Sequence, residues 1–599
     1  MIDSLRRRFQ TIEIILPFVL FLCLAGNGIT EFFGGDDLSN LYIYLGHPFG
    51  HWLMGLVRFW SSAWYRPLGG IVYLALFGTF GFNPLPFKIL LFIVLLLNML
   101  LFYHVARRLG GSARIASWAL LLCSYHAAFN GLYLNFGTIH DVLGYSFYFL
   151  SLLGYIRWVS CHGVARVTGL IAILLSYIAG LCCKEMVVTL PLVLFAYGAL
   201  LTDRPGTERW RWPVKSGLPV LLSSAIAVIY TLGKLTGPDT LANNAQYAPH
   251  VSLNQFATIS AHYMREIFHL HSHPPAPAAA LWIFAGLLAL ACVLRSRLMI
   301  FCACSIVMTQ LPVSFMAPRG AFVVYIPFAF WGLYLSALVN RALALFRRRE
   351  IEFGCYFATA VVLVMVNLRE KTVYDPIFTD QASAYEAFSK QLDAWNVHLS
   401  PSGRVLLIND PFPADWIGWD PLFLLNVRAN TTGAIVNRMK FATYMPPVTE
   451  VDWYDYAIDY DTRWRLLKSP KTSSAAASAR LEKIAETAPI LMVAGFQPPA
   501  QPGWRSLNRR FALRTSANTP ASRLSVSLYS SASASVSVRV DGGEAIDEKS
   551  GAPGNLDFDV PLHGGDVRLP YHTVSFTLGN ASGSVSPPET LFVGATLKN

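Results

Sequence analysis

Four stretches of the 599-residue chain set ionisable residues at the ends of apolar runs: one an acid pair, two an acid beside a base, and one a lone base. Asp36 and Asp37 follow the first run in GGDDLSN, and His140 with Asp141 opens the fourth in NFGTIHDVLG. Lys184 and Glu185 close the fifth in CCKEMVVTLP, and Arg319 follows the ninth in APRGAFVVY. Charges near a hydrocarbon boundary are costly unless they pair or line a wet cavity. The chemistry on offer is therefore that of carboxylates and cations around water. A fifth stretch offers metal ligands: His262, Glu266 and His269 lie on one helix face by their spacing, with His271 and His273 behind them. Tyr263, Met264, Ile267, Phe268 and Leu270 surround them, so the stretch reads as an interfacial helix ending at Pro274-Pro275, and no metal is expected.

Each stretch also has a plainer reading. Asp36-Asp37 after Gly34-Gly35 suits a solvated turn. Lys184-Glu185 suits a structural ion pair, His140-Asp141 a helix cap, and Arg319 a snorkelling anchor. Four such groups on one side of a membrane are harder to explain separately than together.

The elements that must position them are transmembrane helices. Hydrophobic residues make up 54% of the chain and charged residues 14%, too apolar for one soluble enzyme. About 20 helical residues span the hydrocarbon. Eleven apolar runs qualify: 12–29, 87–106, 113–130, 140–157, 165–182, 186–202, 216–234, 278–294, 298–316, 321–340 and 353–368. With the N-terminus inside, 18 of the 27 basic residues before 376 fall in short cytoplasmic connections, as the positive-inside rule demands. An odd number of spans puts everything after residue 370 outside. The segments 41–64 and 66–80, rich in Trp or too short, read as interfacial pieces of a long first outer loop. The positive charge is scattered through these connections, which excludes a nucleic-acid-binding face. From 376 onward 20 basic residues face 21 acidic ones.

The order of these features resembles the GT-C glycosyltransferases, closest to the branch of the protein O-mannosyltransferases, including the tetratricopeptide-repeat transmembrane type. The features are a long first outer loop opening with two acids, then Tyr65-Arg66-Pro67-Leu68, the NMLLFYHVARRLGG second span, Lys184-Glu185 before TLPLVL, and Arg319 before Tyr325-Ile326-Pro327. Ile139 stands where the branch often carries Arg, the spacing from Arg319 to Tyr325 is longer than usual, and no 34-residue repeat follows. The resemblance implies inverting transfer of a sugar from a polyprenyl-phosphate donor, a membrane lipid, to a hydroxyl of a protein, lipid or glycan. It implies Asp36 as the base that takes the acceptor proton, with Asp37 orienting the acceptor or shifting the pKa of Asp36. Arg66, Lys184 or Arg319 would hold the leaving phosphate, and Asp141, Glu185 and His140 would hold those cations or contact the donor. No metal or other cofactor is implied.

The expected fold class is a mainly α polytopic membrane protein of about eleven spans over 1–370, followed by extracytoplasmic α/β (371–500) and β-sandwich-like (501–599) regions. RVLLIND reads as a buried strand, LFLLNV as a helix and 433–437 as a second strand. From about 505, alternation such as RLSVSLYSSASASVSVRV with turns at Gly542-Gly543 and Gly564-Gly565 reads as antiparallel strands. All nine cysteines precede residue 356, so no disulfide framework holds this region together. That mildly favours a bacterial inner membrane with a periplasmic C-terminal domain. The competing readings are a lipid or glycan flippase, which would carry charges near the midplane and inverted repeats, and a non-catalytic envelope assembly component.

Overall fold

A computed structural model describes residues 2–202, 217–236, 240, 249–345, 349–412, 420–439, 451, 453–470, 472–473, 475–496, 505–516, 522–530, 533–551, 554–562, 571–580 and 590–598. The connection 203–216, expected in the cytoplasm, and the Gly564-Gly565 turn lie outside the described residues. The chain forms two compact units, Met1–Ser383 and Ala384–Asn599.

Every one of the eleven apolar runs holds a helix. Seven of the described helices are long and apolar enough to cross a membrane: Phe9–Ile29, Pro84–Gly110, Val164–Leu181, Leu218–Leu235, Arg297–Ser314, Ala321–Leu343 and Glu350–Tyr374. The other four runs hold Ala113–Cys123, Ile139–Trp158, Leu190–Leu200 and Pro277–Val293, which are shorter or more polar. The chain is thus a multi-pass membrane protein, and among the described residues its full-length apolar helices are fewer than eleven. Local signals fix the ends. Pro84–Gly110 starts with Pro at its first turn and the Asn83 side chain accepting from Leu85 N–H, and it ends with Arg107 and Arg108 before Gly111 at φ 63°. Those are an N-cap, cations at the negative dipole end and a left-handed stop.

The third run departs from expectation. Its helix ends at Cys123, and residues 124–138 continue as short 3₁₀ and α turns. Irregular backbone at membrane depth survives only where protein groups satisfy it. Here the Asn367 side chain accepts from Ala127 N–H at 2.8 Å, the Thr138 hydroxyl donates to the Gly131 and Asn135 carbonyls, and Tyr125 donates to Asn130. Polar side chains of the segment add further bonds, with Ser124 donating to the Leu121 carbonyl at 2.9 Å and Asn135 accepting from Gly137 N–H at 2.7 Å. The segment 66–80 forms the helix Pro67–Phe80, preceded by the short helices Gly35–Leu45 and Phe49–Val57.

In the second unit, β1 (Arg404–Ile408) pairs in parallel with β2 (Ile435–Met439) and β3 (Tyr456–Asp461), and Asp420–Arg428 is the crossover helix. The strands β4 (Arg463–Ser469) and β5 (Thr472–Ser473) complete this sheet. An eight-stranded antiparallel sheet follows, built from β6 (Ile490–Phe496), β7 (Arg505–Ser516), β8 (Arg523–Ser530), β9 (Ala534–Val540), β10 (Ala545–Gly551), β11 (Gly554–Pro561), β12 (Tyr571–Asn580) and β13 (Thr590–Lys598). Its order is β10-β9-β12-β7-β13-β8-β11, with β6 on β7. In a flat sheet β12 and β11 would stand four strands, nearly 20 Å by a rough count, apart. Phe576 and Phe558 on those strands lie 6.0 Å apart, so the sheet folds over on its own core. The strand β6 belongs to both cores: Ile490 and Met492 pack in the folded sheet, and Leu491 between them packs with Leu406 and Ile408.

Candidate active site

The helix Gly35–Leu45 opens on two acids, and its first turn sends them opposite ways. Asp37 is fully buried: one carboxylate oxygen accepts from Gly34 N–H at 2.9 Å, capping the helix, and from Lys88 Nζ at 3.3 Å. The other oxygen accepts from Gly137 N–H at 2.5 Å. Asp36 is half-buried and accepts from the Asn135 amide at 3.1 Å. The turn at 135–138 presses closely on both acids. A Cβ added at Gly137 would stand 2.7 Å from Asp36 Cβ, so only glycine permits the approach.

Two ion pairs form the opposite wall. Arg66 grips Glu185 through two hydrogen bonds, Nε to Oε1 at 3.2 Å and a terminal nitrogen to Oε2 at 3.1 Å. Lys184 Nζ lies 2.8 Å from Asp141 Oδ2, and its side chain is only 12% exposed. Burial first, then the Arg66 charge, pushes the Lys184 ammonium below its ordinary pKa, with Asp141 and Glu185 pulling the other way. Burial also works against the Arg66 charge, but Glu185 outweighs it and the guanidinium stays protonated. Arg66 caps the helix Pro67–Phe80 from a left-handed conformation, φ 45° and ψ 62°, a strained state for a residue with a Cβ. Lys234 steadies the loop before it by donating to the Ser61 and Trp64 carbonyls at 2.9 and 2.7 Å.

Asp36, Arg66, Asp141, Lys184, Glu185 and Arg319 line one cavity of about 470 Å³. Arg319 enters from the turn after Arg297–Ser314, and its carbonyl accepts from His262 Nε2 at 3.2 Å. The two other residues singled out in the sequence stand apart from this lining. Asp37 is turned inward to Lys88, a buried carboxylate held by three donors behind the cavity lining. His140 is fully buried, with Nε2 3.2 Å from the Tyr44 hydroxyl and its ring pressed on Gly69, so it packs the wall behind the lining. The His262, Glu266 and His269 face is also broken, because the helix ends at Ile267 and not at the prolines. Residues missed from sequence are Lys88, Lys234, Asn135 and Tyr230, of which Lys234 and Tyr230 line the cavity. A lone lysine in an apolar run, as at Lys88 and Lys234, was the available signal.

No protein-family model matches the chain, and no curated protein matches it. Among solved structures, ArnT from Cupriavidus metallidurans bound to undecaprenyl phosphate is 14% identical, with a TM-score of 0.37 over 81% of this chain and 96% of that one. The arabinofuranosyltransferase AftD from Mycobacteria is 11% identical, with a TM-score of 0.36 over 99% of this chain and 58% of that one. These likenesses are long but loose, so the chemistry of the site rests on its own geometry.

Proposed function

We propose that the chain is a membrane glycosyltransferase of the GT-C kind, moving a sugar from a polyprenyl-phosphate carrier to a hydroxyl acceptor with inversion. The observation that supports this is the single cavity in which the half-buried carboxylate of Asp36 faces the cations Arg66, Lys184 and Arg319. Asp36 takes the proton of the acceptor hydroxyl as its oxygen attacks the anomeric carbon. The bond from that carbon to the phosphate oxygen breaks on the opposite face, and the polyprenyl phosphate leaves with its new charge held by the cations. Glu185 and Asp141 keep Arg66 and Lys184 in place between turnovers, so the cations meet the donor already oriented. The acceptor is a hydroxyl on a protein, lipid or envelope glycan, in the manner of the O-mannosyltransferase branch. The N-terminus lies in the cytoplasm, and the cavity and the C-terminal unit lie on the extracytoplasmic, periplasmic side.

The test uses the full chain reconstituted in lipid with a panel of polyprenyl-phosphate-linked sugars, reading release of polyprenyl phosphate and glycosylation of added acceptors. Asp36→Asn is expected to lower turnover by about 10² to 10⁴ while leaving donor binding intact. A fully active Asp36→Asn protein overturns the base assignment. A wild-type protein that moves the intact lipid-linked sugar across the bilayer without cleaving it overturns the enzyme.

A further inference from the structure

On the other side of Arg319 lies a second constellation that the cavity does not use. The helix Leu253–Ile267 ends at Phe268, and His269 takes a left-handed backbone, φ 53°, closed by a hydrogen bond from Leu270 N–H to the Arg265 carbonyl at 2.9 Å. That turn brings His269 and His271 to the end of the helix Arg349–Tyr374, beside Glu370. His269 Nδ1 lies 3.5 Å from Glu370 Oε2, and His271 Nε2 lies 3.3 Å from the same oxygen. One ligand atom from each of the three residues falls within 4.8 Å of the others.

We propose that His269, His271 and Glu370 bind a divalent transition-metal ion of the zinc class. Zinc bonds of about 2.0–2.1 Å in a tetrahedron put neighbouring ligand atoms roughly 3.3 Å apart, close to both contacts with Glu370. An ordinary imidazole–carboxylate pair would share a proton along a hydrogen bond. Here His269 Nδ1 and Glu370 Oε2 are buried and make no hydrogen bond with any described residue. Two imidazoles with one carboxylate suit zinc and disfavour magnesium or calcium, which take oxygen ligands.

The surroundings hold the ligands in place. The His269 ring stacks on His126, centroids 4.5 Å apart and 11° from parallel, and His126 Nε2 is 2.8 Å from the Ile267 carbonyl. The Tyr374 hydroxyl donates to Glu266 at 2.6 Å and Arg265 bonds the other Glu266 oxygen, while the 3.1 Å contact of Tyr374 with His271 Nε2 would give way to the metal. The stack on His126 fixes the His269 ring, as partners around a metal's ligands do. The ion would staple the helix carrying His262, which touches the Arg319 carbonyl, to the helix Arg349–Tyr374.

The experiment needs no assay of sugar transfer. Full-length protein in detergent is stripped with a chelator, then titrated with Zn²⁺ and with Co²⁺. Wild type is expected to take up one equivalent of Zn²⁺ with a rise in melting temperature, and to give the intense visible bands of tetrahedral cobalt. Glu370→Gln and His271→Ala should each weaken Zn²⁺ binding by about 10- to 100-fold. Both should melt like the stripped wild type when metal is absent, which separates a lost ligand from a damaged fold. His269→Ala/His271→Ala should lose the cobalt bands. Wild type without a stoichiometric Zn²⁺, or a double variant that binds it as tightly as wild type, overturns the site.

Discussion

Lys88 Nζ and Asp37 Oδ2 stand 3.3 Å apart with neither side chain exposed, and the ammonium also donates to the Leu134 carbonyl at 2.6 Å. One lysine thereby joins the helix bearing the acid pair, the long helix Pro84–Gly110 and the irregular segment that presses on Asp36. Removing one member of a buried pair leaves an uncompensated charge, at a cost of about 3–5 kcal/mol. Lys88→Met and Asp37→Asn are each expected to lower the denaturation midpoint of the purified protein sharply. The double variant should lose less than the sum, because it leaves no charge stranded. Strictly additive losses would show that the two groups do not interact.

Gly69 and His140 make a second falsifiable contact. A Cβ on Gly69 would stand 2.0 Å from His140 Cε1, and the ring is packed on its other sides by Tyr44, Tyr65 and Tyr73. Gly69→Ala should therefore destabilise by about 1–3 kcal/mol through overpacking. Adding His140→Ala removes the obstacle and should recover part of the melting temperature. Failure of that rescue would place the strain elsewhere.

The left-handed backbone of Arg66 gives a way to separate its conformation from its charge. Arg66→Gly and Arg66→Ala both strip Glu185 of its partner, but only glycine adopts φ 45° without penalty. The glycine variant should be more stable by about 1 kcal/mol. Both should bind a polyprenyl-phosphate donor equally poorly. Equal stability of the two would mean that the turn relaxes when the arginine is lost.

Donor affinity carries a pH signature from Lys184. Burial and the Arg66 charge make its ammonium lose the proton below the ordinary lysine range, so attraction for phosphate fades as pH rises, earlier than an ordinary lysine would allow. Affinity should fall on the alkaline side in wild type, and Lys184→Arg should flatten that fall because guanidinium stays charged. Indistinguishable profiles for the two proteins would remove Lys184 from the phosphate site.

Much of this was readable from the sequence, for definite reasons. Apolar length located the seven described helices that are long and apolar enough to cross a membrane, and alternation such as that in β8 and β9 located buried strand faces. Six of the eight singled-out residues meet in one cavity because an ionisable group at the hydrocarbon edge has few places to go. The sequence could not separate Asp36 from Asp37, since adjacent residues in a first helical turn diverge by about 100° and only the position of Lys88 decides which one is buried. Nor could it find Glu370 as a neighbour of His269, a contact made by chain reversal over a hundred residues. The third run was read as one span because its apolarity continues past Cys123, while the polar side chains that feed its irregular backbone look incidental in one dimension.

The shared strand β6 bears on how the C-terminal unit is to be handled. With Leu491 facing one interior and its neighbours Ile490 and Met492 the other, neither half owns a complete wall, and the chain offers no clean cut between them. A fragment ending before 490 or beginning after 496 bares an oily flank, so soluble expression calls for both halves on one polypeptide.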